Sequence, residues 1–246
     1  MTMMPRRLRR MLAALTQDER DGPLPLFLYV LTLVTGLVDA ISFLRLGDVF
    51  VANMTGNIVF LGLAAAEPQR FSAGANAAAL ISFFLGAAAG GRLGRVFGAH
   101  RARLLAVSAS IKIPCGVAAI VVSATSAGEA EGWVRYAVII LLAVSMGLQN
   151  AVVRRLAVAD LTTTVLTGTL TSFAADSSLA GGGNRGAKRR VASVVLLCLG
   201  AALGALLLSM AEINAVLAVT LTLLIGVWLG AFRLRNATAP WAVPPG

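Results

Sequence analysis

The chain has 246 residues, 58% hydrophobic and only 13% charged, with a mean hydropathy of +0.83. A soluble domain carries about 25% charged residues, so these values exclude a soluble fold and predict an all-α integral membrane protein whose first partner is the lipid bilayer. The net charge of +10 does not signal nucleic acid, because the basic residues cluster between apolar runs instead of covering one soluble face.

Residues 1–23 are polar and carry Arg6, Arg7, Arg9, Arg10 and Arg20. No small-residue cleavage site follows the first apolar run, so this segment reads as an uncleaved cytoplasmic N-terminus. Residues 11–15 are a weak candidate for a surface helix. A crossing helix needs roughly 20 mainly apolar residues. Candidate segments lie at 24–44, 49–66, 72–91, 104–124, 134–153, 161–175, 191–210 and 213–232. The shortest are 49–66 and 161–175. Asn53, Thr55, Gly56 and Asn57 interrupt the first, and Thr162, Thr163, Thr164, Thr167, Gly168 and Thr169 the second.

Arginine placement decides whether those two segments cross. If all eight cross, the basic loops at 92–103 and 154–155 land outside and the acidic Glu129/Glu131 loop lands inside, against the positive-inside bias. If 49–66 and 161–175 dip in and return, 17 of the 21 basic residues lie inside. Arg45, Arg70 and Arg135 then lie outside, and Lys112 falls within a span. Each half contributes three crossings, so the halves are inverted relative to each other. The expected fold is six transmembrane helices as a 3+3 inverted repeat, each half with one re-entrant or broken helix. The expected units are repeat 1 at 24–124, an extracytoplasmic linker at 125–133, repeat 2 at 134–235, and a Pro-rich cytoplasmic tail at 236–246 with little room for structure. Residues 181–190 read as a flexible basic loop.

The halves also echo each other in sequence. Gly36-Leu37-Val38-Asp39-Ala40 returns as Gly147-Leu148-Gln149-Asn150-Ala151, Asp48 as Asp160, and Thr55-Gly56 as Thr167-Gly168, at offsets of 111, 112 and 112. The stretch from Leu85 to Gly90 returns from Leu199 to Gly204, at an offset of 114. Such repetition marks a repeat-built architecture.

The run from Gly36 to Leu44, then Val49 to Asn57, resembles the YoaK family (domain of unknown function 1275). Met146 to Arg155 and Thr162 to Thr171 fit the same pattern, so the resemblance spans about residues 25 to 232. It implies a multi-spanning bacterial inner-membrane protein. It supplies no activity, cofactor or substrate.

Chemistry must therefore come from the residues. Asp39 lies within the first span, on a stripe with Thr32, Thr35, Gly36 and Ser42. A central Asp costs roughly 2.5–3.5 kcal/mol on insertion scales, so it faces protein or water, as an ion or proton site or as a structural tie on the broken segment. Its repeat partner Asn150, beside Gln149, is neutral, as one site for one ion would require; plain interhelical hydrogen bonding is the other reading. Asn53, Thr55, Gly56 and Asn57 look like a break followed by a short helix at 57–66, whose N-terminus would attract an anionic group. Thr163, Thr164, Thr167, Gly168 and Thr169 repeat that device, and a merely kinked, packed helix is the alternative. The substrate- or ion-binding set is thus Asp39, Asn53, Thr55, Gly56, Asn57, Gln149, Asn150, Thr164, Thr167 and Gly168. Lys112 snorkels to the surface or pairs with Asp39 or Asp176, and Asp48 and Asp160 read as helix caps.

His100 reads as a lone surface histidine, and Cys115 and Cys198 as small core residues. No metal site, cofactor motif or paired nucleophile and base is present, so an enzyme is not expected. Gly86, Gly90 and Gly94, with Gly200 and Gly204, form small-residue seams for packing within the chain or, through the Gly86/Gly90 or Gly200/Gly204 faces, for a homodimer. The function expected is a small secondary transporter or permease for a small polar or ionic solute, coupled to protons or ions if Asp39 titrates. The alternative is a non-transporting membrane scaffold or partner subunit.

Overall fold

The computed structural model describes residues 20–125, 132–164, 166–184 and 186–243. The expectations for residues 11–15, for Glu129 and Glu131, and for Arg185 lie outside the described residues.

Six helices are long and apolar enough to cross a membrane: α1 (Leu24–Arg45), α3 (Ala73–Phe97), α4 (Arg101–Ala124), α5 (Gly132–Leu156), α7 (Ala187–Met210) and α8 (Ile213–Arg233). Several extend past the expected apolar segments. α3 continues to Phe97, α4 starts at Arg101 and α7 at Ala187, because polar and arginine-bearing turns stay helical at the interface. Ser72 starts α3 by accepting from the Ala75 N–H, and His100 starts α4 by accepting from the Arg103 N–H.

Two short helices, α2 (Met54–Leu63) and α6 (Leu166–Ala175), have ten residues each. At 1.5 Å per residue each is about 15 Å long, half the hydrocarbon core. α2 begins three residues earlier than expected, because the chain turns helical directly after Asn53. Asp48 and Asp160 stand before these helices with φ of +50° and +61°. Aspartate tolerates that left-handed region better than most residues. They are turn residues, which corrects their reading as caps.

α1 lies along α7, and α3 along α5; α4 packs on α5 and α8, and α1 also on α8. α2 rests on α3, and α6 on α7. α1 and α5 are the central helices, 72% and 61% buried over their apolar windows, against 22–33% for the other four.

Glycines let the central helices approach. A Cβ on Gly36 would lie 2.6 Å from the Ala201 nitrogen and closer still to the Leu197 carbonyl oxygen. A Cβ on Gly147 would lie 2.9 Å from the Ala87 nitrogen and closer still to the Phe83 carbonyl oxygen. Facing them, Gly200 abuts the Leu33 carbonyl and Gly86 the Val144 carbonyl, while Gly204 and Gly90 abut Ala40 and Ala151. The Gly86/Gly90 and Gly200/Gly204 faces therefore pack against helices of the same chain.

One end of the bundle gathers most of the basic residues. There Arg101, 1% exposed, donates to the carbonyls of Leu156, Arg20 and Trp241 and to Asp21 Oδ1, and Arg189 pairs with Asp21 Oδ2 at 2.9 Å. This node joins the chain before α1, the start of α4, the end of α5, the start of α7 and the C-terminal segment. The tail is therefore not structureless: Pro240–Ala242 forms a 3-10 turn, and Trp241 packs where Gly22 leaves room. His100 Nε2 lies 2.9 Å from the Ala237 carbonyl, so it fastens the tail instead of standing free. At the opposite end Arg45 donates to the Leu208 carbonyl and Arg135 to the Leu46 carbonyl, each at 2.6 Å. Cys115 is half-buried, whereas Cys198 is exposed on α7, which corrects its reading as a core residue.

Candidate functional site

A cavity of about 840 Å³ lies between α1, α2, α3, α5, α7 and the start of α6 with the segment entering it. Seven of the ten expected site residues line it: Asp39, Asn53, Thr55, Gly56, Asn150, Thr164 and Thr167. Asp39 sits six residues from one end of α1 and Asn150 six from the other end of α5, so the two meet the cavity at different depths. None of the described residues lining the cavity is basic.

Asp39 Oδ1 accepts the Ala52 N–H at 3.1 Å. The carboxylate thus holds the unwound segment before α2 and faces the cavity, so both readings of this residue have a physical basis. Thr32 and Thr35 on the same stripe donate to the Leu28 and Leu31 carbonyls of their own helix, and Ser42 to that of Asp39. Asn53 occupies the N-cap of α2 without a side-chain cap bond. The first-turn N–H groups of Met54, Thr55 and Gly56, all cavity-lining, have no intrahelical partner. At the entry to α6, Thr162 and Thr169 hydroxyls join at 3.1 Å. Thr164 lines the cavity, and its buried hydroxyl has no hydrogen-bond partner among the described residues, an unusual state for a buried polar atom.

Three expected residues point elsewhere. Asn57 is fully buried behind the site. Its side chain accepts the Phe50 N–H at 2.8 Å and donates to the Phe50 carbonyl at 2.5 Å, so it shapes the break instead of lining the cavity. Gly168 does not line the cavity, and a Cβ there would meet open space. Gln149 turns away into a separate buried network, accepting from Lys112 and donating to Thr35 at 3.1 Å and to Thr163 at 3.2 Å. Helical geometry explains this: neighbouring residues point about 100° apart, so Asn150 and Gln149 cannot share one wall.

Lys112 lies eleven residues into α4, about 16 Å from its start, and is 2% exposed. It neither snorkels nor pairs with Asp39 or Asp176; its partner is the Gln149 amide oxygen. Asp176 instead binds Arg190 at 2.6 Å, as does Asp160, at the basic end of the bundle. Among the described residues no group of three or more His, Cys, Asp or Glu side chains is arranged to hold a metal ion.

The sequence reading missed an aromatic wall. Phe43, Phe50 and Phe60 line the cavity as a three-ring cluster, with centroids 5.1, 5.9 and 6.5 Å apart, and Phe71 stacks on Phe60 at 5.2 Å. Gly56 makes room for it, since a Cβ there would lie 2.9 Å from the Phe50 ring. The available signal was Phe43 four residues after Asp39, one turn along the same face.

Six membrane-length helices, four of which line a cavity together with two half-length helices, define a multi-pass α-helical membrane protein. The chain belongs to the family described as Protein of unknown function (DUF1275), which matches residues 27–230. It is 36% identical over 152 residues to the UPF0700 transmembrane protein YoaK of Bacillus subtilis (strain 168). That alignment covers 61% of this chain and 66% of the relative, slightly less than two thirds of its length. No solved structure matches the chain.

Proposed function

We propose that this protein is a small secondary carrier or permease of the bacterial plasma membrane, moving a small solute through the cavity between Asp39 and Asn150. The observation that carries the proposal is the cavity itself: the Asp39 carboxylate, Asn150 and the open first turn of α2 all line it. A cavity of about 840 Å³ lined by these groups has the size of a small-molecule site.

An inverted-repeat mechanism fits the packing. Exchange of the halves carries α1 to α5, α2 to α6, α3 to α7 and α4 to α8. Every principal contact then maps onto another: α1 on α7 becomes α5 on α3, α5 on α4 becomes α1 on α8, and α2 on α3 becomes α6 on α7. The glycine pairs Gly36/Gly200 and Gly147/Gly86 exchange in the same way. Rocking one half against the other across these seams would expose the cavity alternately at each end. The positive-inside bias favours the basic end, with both termini, as cytoplasmic. In this scheme Asp39 carries the coupling proton or cation, and its neutral counterpart Asn150 leaves one charge per transport cycle.

The test is uptake into proteoliposomes with and without an imposed pH gradient, comparing wild type with Asp39→Asn. Wild type should accumulate solute in response to the gradient, and a folded Asp39→Asn protein should not. Gradient-driven uptake that survives in Asp39→Asn, with an unchanged melting temperature, would remove Asp39 from the coupling role.

A further inference from the structure

Resting on the permease reading, we propose that the solute is a monovalent organic cation bearing an aromatic or comparably flat apolar body, with its charge at Asp39 and its ring against the Phe43–Phe50–Phe60 wall. Three observations converge on this class.

The first is charge. Asp39 brings a carboxylate to the cavity, and no described lining residue is basic. An apolar surround strengthens its attraction for a cation. The second is shape. Phe43, Phe50 and Phe60 cluster with ring centroids 5.1, 5.9 and 6.5 Å apart, and all three residues line the cavity. A flat apolar body packs against such an aromatic lining, and aromatic rings attract cations through their quadrupole. The third is spacing. Asp39 and Phe43 are one helical turn apart on α1, with Cβ atoms about 5–6 Å from each other. An ammonium joined to a ring through one or two carbons spans that distance.

The wall is also held in place. Both backbone polar groups of Phe50 are bonded by the buried Asn57 amide, and its ring rests against the backbone of Gly56. A cavity of about 840 Å³ lies within the range of sites that enclose drug-sized molecules.

Binding can be measured on the purified full-length protein in lipid nanodiscs, by melting temperature and by calorimetry. Benzyltrimethylammonium carries both features, tetramethylammonium only the charge, and benzoate the ring with the opposite charge. We expect benzyltrimethylammonium to bind and raise the melting temperature, and the other two to bind at least about tenfold more weakly. Phe43→Leu and Phe60→Leu keep apolar volume, guarding against loss of fold. Each should weaken benzyltrimethylammonium about tenfold while leaving the ligand-free melting temperature near that of wild type. Equal binding of tetramethylammonium, preference for benzoate, or no binding of benzyltrimethylammonium in nanodiscs when it binds in detergent would overturn the proposal. In the last case lipid chains fill the wall. Labelled benzyltrimethylammonium in proteoliposomes separates this proposal from the permease reading. Specific binding without uptake refutes transport and keeps the ligand class. Gradient-driven uptake of other solutes without benzyltrimethylammonium binding does the reverse.

Discussion

Replacing Gly147 by alanine adds one methyl group where α5 meets α3. That carbon would lie 2.8 Å from the Phe83 carbonyl carbon, 2.9 Å from the Ala87 nitrogen and closer still to the Phe83 oxygen. Normal contact is about 3.5–4.0 Å, so the helices must part by roughly 1 Å, which forfeits a quarter to a half of the local dispersion well. Backbone atoms cannot rotate aside as a side chain can. Overpacking of this kind costs about 3 kcal/mol or more, and the better helix propensity of alanine returns about 1 kcal/mol. The net expectation is a loss of roughly 2 kcal/mol or more. Gly91→Ala is the control, because a Cβ there meets nothing within 4 Å, and the substitution should stabilise by up to about 1 kcal/mol. Both proteins can be titrated with SDS in mixed micelles while the helical signal is followed. Gly36→Ala, at the matching place on α1, should behave like Gly147→Ala. If Gly147→Ala unfolds at the same SDS fraction as Gly91→Ala, the close backbone approach that orders the bundle is refuted.

Three further expectations concern other parts of the structure. Asp21→Asn leaves the guanidinium groups of Arg101 and Arg189 without their carboxylate at a node where Asp21 is 1% exposed, and should cost about 3 kcal/mol. Asp176→Asn, at a side chain 52% exposed, should cost no more than about 1 kcal/mol; equal shifts in melting temperature would contradict the node's importance. Asn57→Ala strips both backbone partners from Phe50 and should destabilise by roughly 2 kcal/mol or more. If amide exchange around Phe50 is unaltered in that variant, Asn57 does not hold the break. With Cys115 and Cys198 replaced, a single cysteine at Gln69 should react with impermeant reagent in whole cells, and one at Lys188 only after permeabilisation; the opposite pattern would invert the orientation.

The helical membrane character and the two half-length segments were legible in the sequence, because apolar length and glycine or polar interruption are local properties. Arginine placement singled out the two segments whose helices are only ten residues long, and the break at Asn53 falls where the polar cluster lies. The participation of Asp39, Asn150, Thr55 and Thr167 in one cavity was legible because the sequence echo between the halves supplied matching positions. What escaped were directions and partners across space. Gln149 and Asn150 are adjacent in sequence yet serve different compartments. Lys112 could not be matched to Gln149, since hydropathy does not record which way a buried amine points. Phe50 and Phe60 joined Phe43 only through the turn that Asn57 braces, and no periodicity within a single helix encodes that stack.

The exchange of partners between the halves has a consequence for biogenesis. α1 finds its glycine-matched companion in α7, and Gly36 precedes Gly200 by 164 positions. At ordinary translation rates α1 therefore waits roughly 8–30 s in the bilayer before α7 is synthesised. Throughout that interval its glycine face has lipid, the insertion machinery or early helices as neighbours. α5 has no such wait, because α3 is already inserted when α5 emerges. Two seams of matching geometry are thus assembled on opposite schedules. A ribosome that stalls before α7 releases a chain whose α1 still lacks the helix its glycine face packs against in the finished bundle.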